Sequence, residues 1–468
     1  MYTRATTPTA LRDFRTCLHG EVILPHDQGY NSARRVWNGL IDSYPAMLIR
    51  CATRADVAQA VEFARQQQLP LAIRGGGHSI SGQSVCDGGL VIDLSPMKGI
   101  HVDPRTQTVR AEAGLTLGDF VRALQPFGLL TTTGTVAGTG LSGLTLGGGL
   151  GWLMGKYGLT IDNLLSVELV TAEGRLLRAS ATEQPDLFWG LRGGGGNFGI
   201  ATAFTFQLHP VGPVLAGKVV YPLSQAREVL HCYREYTSQV PDELTAYASL
   251  LRTPDGAPAL AISLCYCGPL QEGERLVEPL RQVGSPLADL IRPKSYLKLV
   301  TQADAGAPQG RLYYEKASTL KHLSDEAIDL LVDAGAACPS PFSQILIQHM
   351  HGAASRVSPT ATAFALREES FVISMLAAWE DGEAARHIAW ARACWEALAP
   401  LASSGVYVNF LGNEGEARVR AAYGANYDRL VALKNRYDPT NVFARNQNIR
   451  PTVSKTRPLD QAWGVLAA

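Results

Sequence analysis

The chain has 468 residues, 46% of them hydrophobic and 18% charged, so it can fold as two or three globular domains without disulfides or a structural metal. Its 42 basic and 42 acidic residues cancel, which argues against a nucleic-acid partner and against a polybasic membrane anchor. Its 46 glycines exceed the roughly 7% share of an average protein, and they are concentrated in a few places.

The cysteines and the N-terminus indicate the compartment. Eight cysteines are spread along the chain without a metal-binding spacing, and no apolar run approaches the ~18 residues of a membrane span. Residues 1–21 lack the continuous apolar segment of a signal peptide. We therefore expect reduced, buried thiols, no metal site, no membrane contact and a cytoplasmic location.

The first 214 residues alternate short strands with amphipathic helices. The patterns predict strands and hairpins typical of an α+β fold, not of a helical bundle. Strands are predicted over 46–51, 71–79 (running into a glycine loop) and 89–95, helices over 55–68 and from 117 to 124, and hairpins over 100–114 and 166–180.

The composition of the chain changes between Pro210 and Pro222, and no glycine cluster follows. Longer amphipathic stretches and apolar strands follow up to about residue 405, and they predict a sheet with covering helices. The sequence thus predicts a first domain over 1–214, a second over 215–405 and a C-terminal segment over 406–468. In that segment, GVYVNFL (405–411) is predicted as a strand, and a helix is expected to end at Tyr437.

Three clusters hold the excess glycine, at residues 74–79, 134–151 and 192–199. Consecutive glycines permit positive φ and let backbone N–H groups converge on an anion, so three clusters favour a large phosphate-bearing cofactor. None matches a P-loop or a dinucleotide fingerprint at the start of a βαβ unit. His78 directly follows the first triglycine, where it can act as a base, bond to the cofactor or carry it covalently; a structural histidine is the alternative.

Four segments carry a family resemblance. RGGGHSISGQSVCDGGLVIDLSPM, GLTLGGGLGWLMGKYGLTIDN, LFWGLRGGGGNFGIATAF and YDPTNVFARNQNIRP occur in this order, and together they resemble the berberine-bridge-enzyme-like FAD-linked oxidases of the vanillyl-alcohol-oxidase superfamily. The resemblance implies an α+β fold with a PCMH-type FAD-binding domain of two subdomains, its core at about 42–213. It also implies a substrate domain with an antiparallel sheet backed by helices, and a last segment that returns to the FAD domain.

The resemblance also implies the cofactor contacts. His78 matches the histidine that carries the flavin 8α-methyl group covalently, and Thr139 matches a position linked to oxygen access. The expected FAD-binding residues are Arg74, Gly75, Gly76, Gly77, His78, Ser79, Thr139, Gly140, Gly143, Gly147, Gly148, Gly149, Ile200, Asn446 and Asn448.

One departure from the family concerns the attachment of FAD. Many relatives attach the flavin a second time through a cysteine shortly before the second glycine cluster. Here Val136 occupies that position, and no cysteine lies between Cys86 and Cys232. We therefore expect a single covalent bond, through His78.

A second departure concerns the catalytic base. Relatives carry a tyrosine base in a YxNY-like strand, and Phe410 stands at that position in Tyr407-Val408-Asn409-Phe410. An alcohol substrate needs another base, whereas a neutral amine or a phenolate-type substrate needs none. If 405–411 is a strand, Tyr407 faces away from Phe410. The candidate catalytic side chains are Tyr407, Tyr313, Tyr314, His349 and His351, the two histidines sharing one face of a strand.

The sequence and the resemblance together predict a covalent-FAD oxidase. Hydride passes from a small organic substrate, plausible as a secondary metabolite with an amine or alcohol group, to flavin N5, and O2 reoxidises the flavin to give H2O2. The alternatives are a dehydrogenase or oxygenating flavoenzyme with another acceptor or outcome, and a flavin-holding protein without turnover.

Overall fold

A computed structural model of the protein describes residues 8–452. Residues 1–7 and 453–468 lie outside this range. They belong to the first and the third predicted segments, and residues 1–7 also begin the stretch in which no signal peptide is predicted. Within the described range, no helix is both long and apolar enough to cross a membrane. In the same range, no group of three or more His, Cys, Asp or Glu side chains is arranged to hold a metal ion.

Two sheets form from the N-terminal part of the chain. The first has the order β1-β2-β4-β3, with β2, β4 and β3 parallel and β1 antiparallel. Its strands are β1 (Glu21–Ile23), β2 (Met47–Arg50), β3 (Leu71–Arg74) and β4 (Leu90–Asp93). The second is antiparallel, with the order β5-β6-β10-β8-β9, and β7 and β11 form a separate pair. These strands are β5 (Ile100–Asp103), β6 (Thr108–Glu112), β7 (Leu129–Leu130), β8 (Leu164–Val170), β9 (Leu176–Ser180), β10 (Ile200–Gln207) and β11 (His209–Pro210).

A large antiparallel sheet follows, with the order β15-β12-β14-β13-β18-β19-β17 and with β16 paired to β12. Its strands are β12 (Val214–Pro222), β13 (Leu244–Arg252), β14 (Pro258–Tyr266), β15 (Ala288–Asp289), β16 (Arg292–Lys294), β17 (Leu312–Leu320), β18 (Gln344–Met350) and β19 (Ser370–Trp379). The long apolar runs seen in the sequence supply its central strands.

The helices begin where the sequence offers caps. Thr53 and Asp56 form a capping box at the start of α3, and Thr116 and Asp119 form another at the start of α4. The helices are α1 (Pro8–Thr16), α2 (Tyr30–Ala33), α3 (Arg54–Gln66), α4 (Leu117–Leu124), α5 (Leu141–Leu146), α6 (Met154–Tyr157), α7 (Pro185–Leu191), α8 (Ala226–Thr237), α9 (Leu270–Gln282), α10 (Tyr296–Gln302), α11 (Asp325–Ala336), α12 (Ala353–Arg356), α13 (Ala384–Leu398), α14 (Glu416–Tyr423) and α15 (Tyr427–Tyr437).

The two faces of the large sheet pack against different partners. On the helix-covered face, side chains such as Ile347 and Ile373 share a core with residues of α8, α9, α11 and α13. On the inner face, Tyr247, Val372 and Ala317 belong to the core built around the first two sheets. Because side chains alternate along a strand, each residue of the sheet is assigned to one of these faces.

The α+β fold and most of the predicted elements are confirmed. The strand predicted over 405–411 is wrong, because Val408–Phe410 forms a single 3₁₀ turn instead. All eight cysteines are free. They are not all buried as expected, since Cys17 is exposed and Cys232 and Cys267 are half-buried.

Candidate active site

The first glycine loop leaves β3 and lies against the second. A Cβ on Gly76 would stand 2.4 Å from the Cα of Gly140, so only glycine permits this approach. The guanidinium of Arg74 is buried and pairs with Asp93 at 2.6 Å, which fixes the base of the loop. The Ser79 hydroxyl accepts a hydrogen bond from the Gln83 amide at 3.3 Å, so it stabilises the loop's own turn.

The second cluster contains both packed and open glycines. A Cβ on Gly147 would meet the Asn409 side chain at 2.0 Å, and Gly148 and Gly149 have φ of 124° and 84°. Gly143 on α5, in contrast, has no protein atom within 4 Å of such a Cβ. Part of the glycine excess therefore serves loop packing, and part leaves space beside the backbone.

The third cluster is completed by the C-terminal segment. The Asn446 side-chain amide donates to the Gly196 carbonyl at 3.1 Å, and Asn197 donates to the Gln447 carbonyl at 3.2 Å. The side-chain oxygens of Asn446 and Asn448 are buried without a hydrogen-bond partner in the structure. Ile200 starts β10 directly after the cluster, and its side chain is buried.

A cavity of about 430 Å³ opens beside the first loop, within the size range of small-molecule sites. Its walls come from the first glycine loop, from the segments around Trp37 and Thr116, from the start of the second cluster, and from residues 304–309 before β17. Residues of the first loop and of the start of the second cluster line this cavity, whereas the unpartnered oxygens of Asn446 and Asn448 lie at the third cluster. Their backbone amides and side-chain oxygens are donors and acceptors that suit a large polar cofactor. These residues fit FAD.

His78 lies on the wall of this cavity. Its ring stacks on the indole of Trp37, with ring centroids 4.0 Å apart and an interplanar angle of 16°. Burial lowers the pKa of His78 to about 4, so the imidazole is neutral at physiological pH.

Tyr407 lies at the second glycine cluster, not on a strand. Its hydroxyl oxygen accepts hydrogen bonds from the backbone amides of Gly149 and Leu150, at 3.2 and 3.5 Å, and from the Asn409 side chain at 2.8 Å. The expectation that Tyr407 faces away from Phe410 is wrong, since the two rings meet edge to face with centroids 4.9 Å apart. With its lone pairs engaged and its pKa raised by burial, Tyr407 is suited to hold the loop and not to accept a proton.

The two candidate histidines stack on each other, with ring centroids 4.9 Å apart. His349 lies on the helix-covered face, where it stacks on Phe371 at 4.9 Å, and its Nε2 lies 2.9 Å from the carboxylate of Glu369. His351, just after the end of β18, lies against Gly155 of α6. Neither imidazole lines the cavity, which corrects their assignment as catalytic candidates.

Tyr314 is corrected for the same reason. Its hydroxyl accepts a hydrogen bond of 3.0 Å from Arg392 on α13, so it too lies on the helix-covered face. Tyr313 points the other way, and its ring stacks on Trp37 with centroids 3.8 Å apart. Burial raises the pKa of Tyr313 to about 12, and its hydroxyl donates to the Pro308 carbonyl at 2.8 Å.

The sequence did not single out Glu315, which lies two residues after Tyr313 on the same strand and the same inner face. Its carboxyl is buried and accepts a hydrogen bond from the Ser374 hydroxyl. Burial raises its pKa to about 8, against the opposing effect of the Ser374 bond, and Glu414 raises it further. The Glu315 carbonyl lies 3.8 Å from where a Cβ on Gly412 would stand, so this part of β17 adjoins the segment that holds Tyr407, and the charge of Glu315 raises the pKa of Tyr407. An acidic residue in strand β17 gave no signal in sequence, because LYYEKAS does not show which face is covered.

The fold and the glycine-lined site define a class of FAD-binding oxidoreductases, and comparison with known proteins agrees. The FAD binding domain family matches residues 45–180, and the family described as berberine and berberine like matches residues 406–450. The uncharacterized FAD-linked oxidoreductase YgaK of Bacillus subtilis is 34% identical over 445 residues, covering 93% of this chain and 98% of the relative. The (R)-6-hydroxynicotine oxidase of Paenarthrobacter nicotinovorans is 31% identical over 449 residues, covering 93% and 97%.

Solved structures of FAD-dependent oxidases share the fold of this chain. The crystal structure of 6-hydroxy-D-nicotine oxidase from Arthrobacter nicotinovorans matches with a TM-score of 0.85 and 29% identity, covering 92% of this chain and 98% of that one. The structure of berberine bridge enzyme with (S)-reticuline matches with a TM-score of 0.85 at 22% identity, which shows the shared fold. The chain belongs to the berberine-bridge-enzyme-like FAD-linked oxidoreductases. It is an FAD-dependent oxidoreductase with a PCMH-type FAD-binding fold.

Proposed function

We propose that this protein is an oxidase that carries FAD through a single covalent bond to His78 and oxidises a small organic amine or alcohol. Residues 1–214 and the segment from 406 hold the cofactor, and residues 215–405 bind the substrate. The observation that carries the proposal is the position of His78, a neutral imidazole on the wall of a glycine-lined cavity. Among the described residues that line the cavity, His78 is the one histidine.

Different groups of the chain bind different parts of the cofactor. The backbone of residues 74–79 and the second cluster, including Thr139 and Gly140, bind the phosphates and the ring. The open space beside Gly143 accommodates the cofactor, and the oxygens of Asn446 and Asn448 accept hydrogen bonds from it. When bound, FAD supplies a two-electron acceptor that takes hydride at N5 and is reoxidised by O2 with release of H2O2.

Glu315 takes the substrate's proton. Phe410 offers no base, the hydroxyl of Tyr407 is engaged by three donors, and neither candidate histidine lines the cavity. Glu315 is a buried acid on the inner face with a pKa of about 8, close to the pH at which a base operates. Its ionised form also pairs with a protonated amine.

The substrate class follows from this carboxyl and from the relatives. Within the described chain, Glu315 is a buried carboxyl without a cationic partner of its own. A substrate ammonium group beside it supplies the positive charge that stabilises the ionised carboxylate. One relative, 31% identical, is named (R)-6-hydroxynicotine oxidase, and 6-hydroxynicotine is an amine. We therefore place amines before alcohols as substrates.

The decisive experiment is an absorption spectrum of purified, acid-precipitated protein, together with flavin fluorescence of the denatured band on a gel. A yellow pellet that keeps its flavin, and loses it in His78→Ala, supports the covalent bond. His209→Ala is the matched control, because His209 is also a partly buried histidine stacked on an aromatic ring, Tyr157, at 4.1 Å.

Each other outcome has a meaning. Flavin released into the supernatant contradicts the covalent bond and leaves the FAD-binding fold standing. Peroxide release, measured on a panel of amines and alcohols, then tests the oxidase reaction. Substrate-dependent flavin reduction without peroxide contradicts the oxidase and indicates a dehydrogenase or an oxygenating enzyme. Failure of every substrate to reduce the flavin indicates a protein that holds flavin without turnover.

A further inference from the structure

Three aromatic rings are stacked in a row where the His78 loop meets the large sheet. The Trp37 indole lies between the imidazole of His78, at 4.0 Å and 16°, and the phenol ring of Tyr313, at 3.8 Å and 13°. His78 belongs to the first glycine loop, whereas Tyr313 belongs to β17. The stack therefore joins the cofactor side of the molecule to the substrate side.

Hydrogen bonds hold Trp37 from both directions. Its backbone amide donates to the Gly77 carbonyl at 3.0 Å, and its indole Nε1 donates to the Ala307 carbonyl at 2.9 Å. Its own carbonyl accepts from the Gly310 amide at 2.8 Å. The next residue, Asn38, donates to the carbonyl of Tyr313 at 2.9 Å and accepts from its amide at 3.0 Å.

His78 directly follows three glycines. Gly77 has a φ of +68°, and none of the three carries a side chain that could pack against the imidazole, so the ring is positioned by contacts from other segments. The indole of Trp37 covers one face of the imidazole ring, and His78 lines the cavity. A reaction between two groups is sensitive to such placement, since a shift of ~1 Å can cost about 100-fold in rate.

We propose that Trp37 is a positioning residue for flavin attachment, which holds the imidazole of His78 by stacking and is itself backed by Tyr313 of the large sheet. This inference rests on the proposed covalent bond. In forming that bond, one C–H of the 8α-methyl group and the imidazole N–H are replaced by a C–N bond. The two protons and two electrons released are taken up by O2 to give H2O2, so the balance needs no other oxidant.

The test compares covalent and total flavin in purified Trp37→Leu and Trp37→Phe proteins. Total flavin is read from absorbance, and covalent flavin from fluorescence of the denatured band. For Trp37→Leu we expect bound FAD with a covalent fraction about tenfold or more below wild type, because the imidazole is no longer held. Trp37→Phe keeps a stacking ring and is expected to restore the covalent fraction to within about twofold of wild type.

Tyr157→Leu is the matched control, because it breaks another stack between an aromatic ring and a histidine, Tyr157–His209, away from the cavity. It is expected to leave the covalent fraction unchanged. Full covalent loading of Trp37→Leu overturns the inference, and so does Trp37→Phe as defective as Trp37→Leu. A wild-type protein without covalent flavin overturns the proposed function as well, which separates the two failures.

A second variant covers the case in which Trp37→Leu does not fold. Tyr313→Leu removes the outer ring of the stack and leaves Trp37 in place, so we expect a covalent fraction about threefold below wild type. An unchanged covalent fraction in that variant overturns the inference.

Discussion

The two faces of the large sheet are built from the same strands and yet carry different chemistry. On β17, Tyr314 points to the helix-covered face and bonds to Arg392 of α13, whereas Glu315, the next residue, is buried on the inner face. On β18, Ile347 packs among helices, while the neighbouring Gln348 is buried with its side-chain oxygen unpartnered. The helix-covered face is thus a mainly hydrophobic core, in which His349 Nδ1 and Trp379 Nε1 have no hydrogen-bond partner within residues 8–452, and the inner face carries the buried carboxyl of Glu315 and the buried amide of Gln348.

The difference shows that a single strand can carry both residues that stabilise the fold and residues that take part in the reaction. Alternation sends successive side chains to opposite faces, so residues for packing and residues for chemistry can be interleaved. Unpaired polar groups are costly when they are buried. On the inner face, Gln348 Oε1, Tyr247 Oη and Thr245 Oγ1 lack partners among the described residues, which leaves these atoms available to a bound ligand.

The largest expected effect comes from Glu315→Gln. If the inner face carries the proton acceptor, this variant lowers turnover of a substrate found by peroxide screening by about 100- to 10,000-fold, the range typical of a general base. In wild type, kcat/KM is expected to rise with pH to a plateau above about 8, because the carboxyl must be ionised to accept a proton. Turnover of Glu315→Gln within a few-fold of wild type contradicts the assignment.

A second effect concerns stability. The folded pKa of Glu315, about 8, lies above its ordinary value of 4.5, so folding favours the protonated carboxyl. The contribution of Glu315 to the free energy of unfolding is therefore largest below pH 4.5 and falls as pH rises from 4.5 toward 8. Urea unfolding at pH 6 and pH 8 should show a loss for wild type that exceeds the loss for Glu315→Gln by roughly 2 kcal/mol. Equal losses would show that the carboxyl is ionised or hydrated in the folded protein.

Ser374→Ala offers a finer test of the same site. The Ser374 hydroxyl donates to Glu315 and lowers its pKa, so its removal should raise that pKa. The rise of kcat/KM with pH should move upward by about one pH unit, as expected for the loss of one hydrogen bond to a charged acceptor. The matched control is Ser318→Ala, a buried serine of β17 one residue from the inner-face Ala317. Its pH profile should not move.

The smallest effect is expected on the opposite face. Tyr314→Phe removes the hydroxyl that bonds to Arg392 and should cost less than about 1 kcal/mol, since the bond is exposed. Flavin content and turnover should match wild type. A large loss of turnover in this variant would contradict the assignment of the reaction to the inner face alone.

Much of the fold could be predicted from the sequence, because local patterns determine it. The apolar runs at 89–95 and 370–380 form β4 and β19, and the turn at Gly174 joins β8 to β9. The three glycine clusters do converge on a common region of the molecule. These features depend on local sequence or on composition, so long-range contacts do not change them.

The failures come from long-range contacts. VYVNF alternates like a strand, but the Tyr407 hydroxyl is held by amides of the second glycine cluster some 258 residues earlier in the chain, and the segment turns there. Spacing correctly put His349 and His351 on one face, but which face meets the cofactor is set by α8, α11 and α13. Trp37 gave no signal, because its partners His78 and Tyr313 are distant in sequence.

The fully buried amine of Lys434 on α15 donates to the carbonyl of Asn197, 237 residues earlier, to that of Phe443, and to the Asp438 carboxylate at 2.7 Å. This amine fastens the C-terminal segment to the third glycine cluster. During translation, the cluster leaves the ribosome long before the lysine that fastens it. The order of synthesis thus places the completion of the third glycine cluster late, after residues 434–448 have emerged.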